Sequence, residues 1–94
     1  MSLGGCRSSG LILADKLVYT GQCKLVSIHA MNSHASDATT IVVYDNVAGS
    51  GDIVAKILLS AGLSLEYDMH GVICGTGLYV DVTAGTPELT LEFS

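Results

Sequence analysis

The sequence predicts an all-β fold, an antiparallel β-sandwich of about seven or eight short strands. Short apolar or alternating runs recur along the chain, and clusters of Gly, Asn, Asp and Ser separate them. The last three runs alternate with a period of two residues, which is typical of half-buried strands. A chain of 94 residues accommodates one domain. We therefore expect a flexible N-terminal arm over residues 1–10 and a single sandwich domain over residues 11–94.

The three C-terminal strands show the clearest alternation between apolar and polar residues. Strands are predicted over residues 63–69, 78–83 and 88–93. A Gly- and Pro-containing turn over residues 83–87 separates the last two, so we expect them to form a hairpin. The positions predicted to face the core are Leu63, Leu65, Tyr67, Met69, Leu78, Val80, Val82, Leu89, Leu91 and Phe93.

Earlier strands are predicted over residues 16–20, 25–31, 39–45 and 53–59. Residues 53–59 are also acceptable helix formers, but their Gly-containing flanks leave only about seven residues, which suits a strand better. This strand is predicted to direct Lys56 outward and Ile53, Ala55, Ile57 and Leu59 toward the core.

The strand over residues 39–45 is rich in β-branched residues and is apolar on both faces. Ile41 and Val43 should point to one side, and Val42 and Tyr44 to the other. A strand with two apolar faces is expected to be covered by protein on both. The second face is therefore predicted to contact another subunit.

The composition also favours subunit contact. Hydrophobic residues make up 49% of the chain and charged residues only 14%, against about 25% in an ordinary soluble domain. A surface so poor in charge favours association, although a monomer covered by Ser, Thr, Asn and Gly is the alternative. Tyr19, Tyr44 and Tyr79 are candidates for an outer face, and tyrosine is enriched at interfaces. Together with Val42 they are the candidate subunit contact residues.

The charge distribution argues against two classes of partner. The net charge is −5, and the four basic residues, Arg7, Lys16, Lys24 and Lys56, are scattered along the chain. Binding to nucleic acid or to an anionic membrane surface requires clustered Lys and Arg, so neither is expected. The longest apolar stretch, residues 53–65, is interrupted by polar residues, and no membrane span is predicted.

The three cysteines, Cys6, Cys23 and Cys74, are an odd number and have no CxxC spacing. They therefore do not form a complete disulfide framework. Folding in a reducing compartment such as a bacterial cytoplasm fits this pattern, with the thiols acting as small apolar residues. The alternative is that two of the three cysteines form a disulfide with each other.

Catalytic, cofactor and metal sites are not predicted, and the chain is not expected to be an enzyme. His29, His34 and His70 have neither HxH nor HxxxH spacing, which speaks against zinc. An apolar context is expected to leave Cys74 inert. The Gly-Thr-Gly segment at residues 75–77 precedes a strand rather than a helix, so it is interpreted as a turn and not as a phosphate loop.

Several segments resemble small virion proteins of tailed bacteriophages, notably those that infect marine bacteria and cyanobacteria. These segments are TTIVVYDN at residues 39–46, GSG at 49–51, IVAKI at 53–57, GLYVDVT at 77–83 and the last strand. The similarity covers roughly residues 16–93. It implies a jelly-roll-like sandwich that acts as a capsid cement or decoration protein.

That resemblance further implies a homotrimer that binds the major capsid protein on the capsid surface, after assembly in the cytoplasm of the host bacterium. Such a protein would stabilise the phage head by binding the expanded lattice with several contacts at once. The alternative is a receptor- or glycan-binding module of a phage fibre or tail component. That alternative predicts an exposed tyrosine cluster and measurable affinity for sugars.

Overall fold

A computed structural model describes residues 6–94 and confirms the β-sandwich. The described residues contain no helix, and hence none that could cross a membrane. The strands are β1 (Arg7–Ser8), β2 (Lys16–Thr20), β3 (Cys23–Asn32), β4 (Thr39–Asp45), β5 (Asp52–Leu59), β6 (Ser64–Cys74), β7 (Gly77–Thr83) and β8 (Pro87–Phe93).

The strands form two antiparallel four-stranded sheets. Sheet A has the order β1-β8-β3-β6 and sheet B the order β2-β7-β4-β5. The first strand therefore pairs with the last, the second with the seventh, the third with the sixth and the fourth with the fifth. This nested pairing is the jelly-roll topology, in which one long antiparallel ribbon of strands is folded into two sheets.

The expected hairpin between the last two strands is wrong, because β7 and β8 lie in different sheets. Both edges of β7 are already hydrogen-bonded, one to β2 and the other to β4, so no edge is left for β8. The connection turns through Ala84 and Gly85, which both have positive φ. It crosses to sheet A, where Pro87 is the cross-strand partner of Asn32.

The alternation of apolar and polar residues in the predicted strands correctly identifies most of the core residues. Ile41 and Val43 are fully buried, and so are the predicted inward residues Leu78, Val80 and Leu91. Buried apolar side chains from both sheets form one cluster. Its members are Ile12, Cys23, Leu25, Ile28, Ala30, Ile41, Val43, Ile57, Leu59, Cys74, Leu78, Val80, Leu89, Leu91 and Phe93.

Three residues predicted to lie in the core are exposed. Leu63 and Tyr67 are 54% and 48% exposed, because Leu63 precedes β6 and β6 is an edge strand that the other sheet covers only in part. Ile53 is 53% exposed. A bulge between β4 and β5 pairs Ile53 with the outward-facing Tyr44, which reverses the side to which Ile53 points.

The predicted flexible arm lies partly outside the described residues, which begin at Cys6. Within them, Arg7–Ser8 forms the short strand β1 at the edge of sheet A, paired with the end of β8. Ile12 continues this contact through a bridge to Leu89 and is buried. The flexibility of residues 1–5 stays a prediction.

Candidate functional site

The outer surface of sheet B, which we call face B, carries an apolar row that crosses all four strands. Leu17, Tyr79, Tyr44 and Ile53 are successive cross-strand partners, so their side chains point to the same side of the sheet. Leu58 lies on the same side, opposite Thr40. Leu17, Ile53 and Leu58 are 42%, 53% and 74% exposed. Face B therefore presents an apolar patch at positions that the core does not use.

A second row on face B carries opposite charges on the two sides of an apolar centre. Val42 on β4 is the cross-strand partner of Asp81 on β7 and of Lys56 on β5. Asp81 also lies beside Asp15, which accepts a hydrogen bond from the Val82 N–H at 2.8 Å. Partial burial, followed by the nearby Asp15 carboxylate, raises the pKa of Asp81.

Three of the four candidate contact residues, Val42, Tyr44 and Tyr79, lie together on face B, and their role in a contact stays a prediction. Tyr19 lies on the opposite side of the sheet, so its expected place on the outer face is wrong. A bulge in β2 pairs Tyr19 with the core residue Leu78. Its ring lies 5.6 Å from that of Phe93, measured between centroids. A single extra residue in the strand thus inverts the alternation.

The loop between β4 and β5, residues 46–51, covers part of face B. It is closed by the Asn46 side chain, which donates to the Ser50 carbonyl at 2.7 Å. A Cβ on Gly49 would lie 3.3 Å from Cε1 of Tyr79 and 3.4 Å from Oδ2 of Asp81. The loop therefore lies against the ring of Tyr79 on β7. Val42 belongs to β4, and Ile53 and Leu58 belong to β5, the two strands that follow β7 in the order of sheet B.

The outer surface of sheet A, face A, carries a polar network at its centre, and the apolar side chain of Ile73 is exposed on its edge strand β6. Ser27 and His29 of β3 face outward beside Glu92 of β8 and Glu66 of β6. The Ser27 hydroxyl donates to Oε1 of Glu92 at 2.6 Å, and Nε2 of His29 lies 3.0 Å from the same oxygen. Nδ1 of His29 lies 3.8 Å from Oε2 of Glu66. The hydrogen bond from Ser27, followed by the contact with His29, lowers the pKa of Glu92.

A serine, a histidine and a carboxylate also make up hydrolytic triads, but the arrangement here differs from one. In a triad the histidine takes the proton of the serine hydroxyl. In this cluster the Ser27 hydroxyl is closer to Glu92, at 2.6 Å, than to Nε2 of His29, at 3.3 Å. Ser27 is also 92% buried, since only 8% of its surface is exposed. The cluster is therefore a hydrogen-bonded network that fastens β3 to β8.

An open concavity of about 500 Å³ lies beside this network, lined by polar residues such as Glu66 and Glu88 and by the apolar side chains of Leu11 and Met31. The Glu66 side chain is exposed, and no group of three or more His, Cys, Asp or Glu among residues 6–94 is placed to hold a metal ion. The three histidines serve separate local structures. Nδ1 of His34, for example, accepts the Asp37 N–H at 2.8 Å.

The Gly-Thr-Gly turn binds a carboxylate of its own chain. The backbone N–H groups of Gly75, Thr76 and Gly77 donate to the side chain of Asp45 at 3.0, 2.8 and 3.3 Å. These bonds, led by those from Thr76 and Gly75, lower the pKa of Asp45. The N–H groups that a phosphate would need are thus occupied, and they fasten the β6–β7 turn to β4.

Cys23 and Cys74 are buried cross-strand partners, and both are free thiols. Burial raises the pKa of Cys23, and burial together with the nearby Cys23 raises the pKa of Cys74 to about 11. Because the thiolate is the nucleophile, both groups are poorly reactive at neutral pH. Cys6 is exposed.

Comparison with models of protein families, with curated proteins and with solved structures finds no match.

Asn32 is an important residue that the sequence analysis did not single out. Its buried side chain donates to the carbonyls of Asp37 and Leu59 and accepts the N–H groups of His34 and Thr86. It joins three loops at one end of the sandwich. An Asn directly after the strand predicted over residues 25–31, followed by a Ser-containing loop, is the only signal that the sequence offers for it.

Proposed function

We propose that this protein is a non-enzymatic structural subunit that packs through face B against other protein subunits. The apolar row from Leu17 to Ile53 carries this proposal, because its ends and Leu58 are exposed while the inner side of the same strands already forms the core. Exposed apolar surface of this kind marks protein contact sites. A low charge content, 14% of all residues, supports the same interpretation.

The biological setting that we propose is a phage head, with the protein acting as a cement or decoration protein on the major capsid protein. Two considerations support it: the resemblance of residues 16–93 to small phage virion proteins, and the occurrence of jelly rolls in viral capsid domains. The second is an analogy of fold, since one fold hosts many functions. Jelly rolls also occur in lectins, and the fibre or tail module that binds a receptor or glycan is the rival proposal.

The setting is tested by the position of the protein in the particle. We expect antibody labelling and cryo-microscopy of purified virions to show it at regular positions on the outside of the head. Detection only at a fibre tip, together with binding in a glycan array, would support the rival. A protein that infected cells contain but purified heads lack would refute the cement proposal.

The use of face B is tested by two matched variants. Leu58→Glu places a charge at a residue of face B that is 74% exposed, and Ile73→Glu does the same at a residue of sheet A that is 61% exposed. Both side chains are solvated in the single chain, so neither change should unfold it. We expect Leu58→Glu alone to reduce the bound fraction on purified heads, measured by co-sedimentation. Equal effects of the two variants would contradict a role for face B.

A further inference from the structure

The charges on face B are arranged symmetrically about β4. Asp81 lies one strand to one side of Val42 and Lys56 one strand to the other, in the same cross-strand row. Because neighbouring strands are about 4.8 Å apart, the two charged side chains start from points about 10 Å apart. Face B is therefore negative on the β7 side and positive on the β5 side, with an apolar strip between them.

Neither charge is neutralised within the described part of the chain. Every close ion pair among residues 6–94 involves a histidine, so the Lys56 ammonium has no carboxylate within 4 Å. Asp81 instead lies beside a second carboxylate, Asp15, whose proximity helps to raise the pKa of Asp81. Two acidic side chains next to each other on a partly apolar face favour the approach of an external cation.

A second copy of the same face supplies such a cation. Two identical sheets can pack face to face about a two-fold axis that runs along β4. The β7 side of one copy then meets the β5 side of the other. Lys56 of each copy then lies opposite Asp81 of the other, and Val42 meets Val42. A two-fold axis across the strands would instead place Lys56 against Lys56. The charges thus select the first axis.

We propose that two copies of this chain pack face B against face B about a two-fold axis along β4, with Lys56 of each copy opposite Asp81 and Asp15 of its partner. The pairing rests on the proposed function, because it assigns the face B contact to a second copy. It buries the apolar row, and aligned packing of two sheets is a common arrangement. The loop that lies against Tyr79 on β7 is then opposite β5 of the partner copy.

This pairing differs from the homotrimer that the resemblance implies. A two-fold contact uses the same patch on both copies and closes after two, whereas a ring of three needs two different patches. The molar mass in solution separates the two assemblies. A dimer has about twice the mass of the 9.7 kDa chain, and a trimer about three times that mass.

Charge reversal tests the pairing by sedimentation equilibrium. Lys56→Asp and Asp81→Lys each create two like-charge contacts per dimer, and we expect each to raise the dissociation constant about a hundredfold, since like charges across an interface cost several kcal/mol. An equimolar mixture of the two variants restores opposite charges at both contacts and should dimerise like the unmodified protein. Lys24→Asp, which reverses an exposed lysine on sheet A, is the control and should change nothing.

Recovery in the mixture also shows that both variants are folded. A monomer at 100 µM (about the level of a weak dimer), a trimer, or a dimer that withstands both reversals would overturn the pairing. A chain that decorates phage heads as a monomer would overturn the pairing and leave the proposed function intact. A charge-sensitive dimer that is absent from virions would support the pairing and refute the proposed function.

Discussion

The two outer faces of the sandwich differ in how well their side chains are satisfied within the chain. On face A, Ser27, His29 and Glu92 bond to one another, so the polar groups of that face hold β3 to β8. On face B, the apolar row is exposed at both ends, and within residues 6–94 Lys56 has no carboxylate within 4 Å. Polar groups of face A therefore stabilise the single chain, whereas exposed apolar side chains and Lys56 of face B make no such bonds within residues 6–94.

The largest effect should come from β4, whose alternate residues serve the core and face B. Ile41→Ala removes a fully buried side chain and should lower the free energy of unfolding by about 3 kcal/mol, as is usual for such cavities. Val42→Ala should lower it by less than about 1 kcal/mol in the monomer, because its side chain is outward and partly exposed. Urea unfolding at low protein concentration measures both.

Val42→Ala is also expected to weaken self-association, which Ile41→Ala should affect only through loss of folded protein. If Val42→Ala destabilises the monomer as much as Ile41→Ala does, face B is as important to the fold as the core is. The distinction between the two sides of β4 would then be lost.

A smaller effect is expected on face A, and it depends on pH. Because the pKa of Glu92 is below its ordinary value of 4.5, the carboxylate stabilises the folded chain above that pH. This contribution should disappear as the pH falls below 4.5 toward the pKa of the folded state. We expect Glu92→Gln to lower the thermal midpoint at pH 7 and to converge with the unmodified protein in acid.

Glu88→Gln is the matched control for Glu92→Gln, since Glu88 is on the same strand and the same face. It should leave the pH profile unchanged. Identical profiles for the two variants would show that the network of Ser27, His29 and Glu92 contributes nothing specific.

The smallest effect is expected at Asp81 on face B, and it has the opposite sign. The raised pKa of Asp81 means that its ionised form is disfavoured in the folded chain, so ionisation costs stability as the pH rises above 3.8. Asp81→Asn should therefore slightly raise the thermal midpoint of the monomer at pH 7. The same variant should weaken the dimer, and Asp52→Asn serves as the control for both measurements.

A lower thermal midpoint for Asp81→Asn at pH 7 would contradict the picture of an unsatisfied carboxylate. Glu92 and Asp81 thus provide one test of each face, with opposite expected signs.

Local patterns predicted most of the strands, and long-range contacts explain where they failed. Residues 16–20 and 39–45 match β2 and β4 to the residue. The failures at Tyr19 and Ile53 both arise at bulges, where one additional residue reverses the alternation. No periodic pattern contains such an insertion, because it depends on how the neighbouring strand pairs.

The polar networks were likewise beyond sequence analysis, since each depends on partners far apart in the chain. Ser27 and Glu92 meet only because β3 and β8 are neighbours in sheet A, and Asp45 reaches the Gly-Thr-Gly turn only because β4 adjoins β7. Their hydrogen bonds span 65 and 31 residues.

Most of the strands, most of the inward residues and the low charge content follow from the amino-acid sequence alone, because they depend on side-chain periodicity and composition within short windows. Only the tertiary structure decided which strands are neighbours, and hence that Asp81, Val42 and Lys56 form one row while Tyr19 belongs to the other side. Both edges of β7 are taken by β2 and β4, which sends β8 to the second sheet. The choice of partner for each strand is a property of the whole chain.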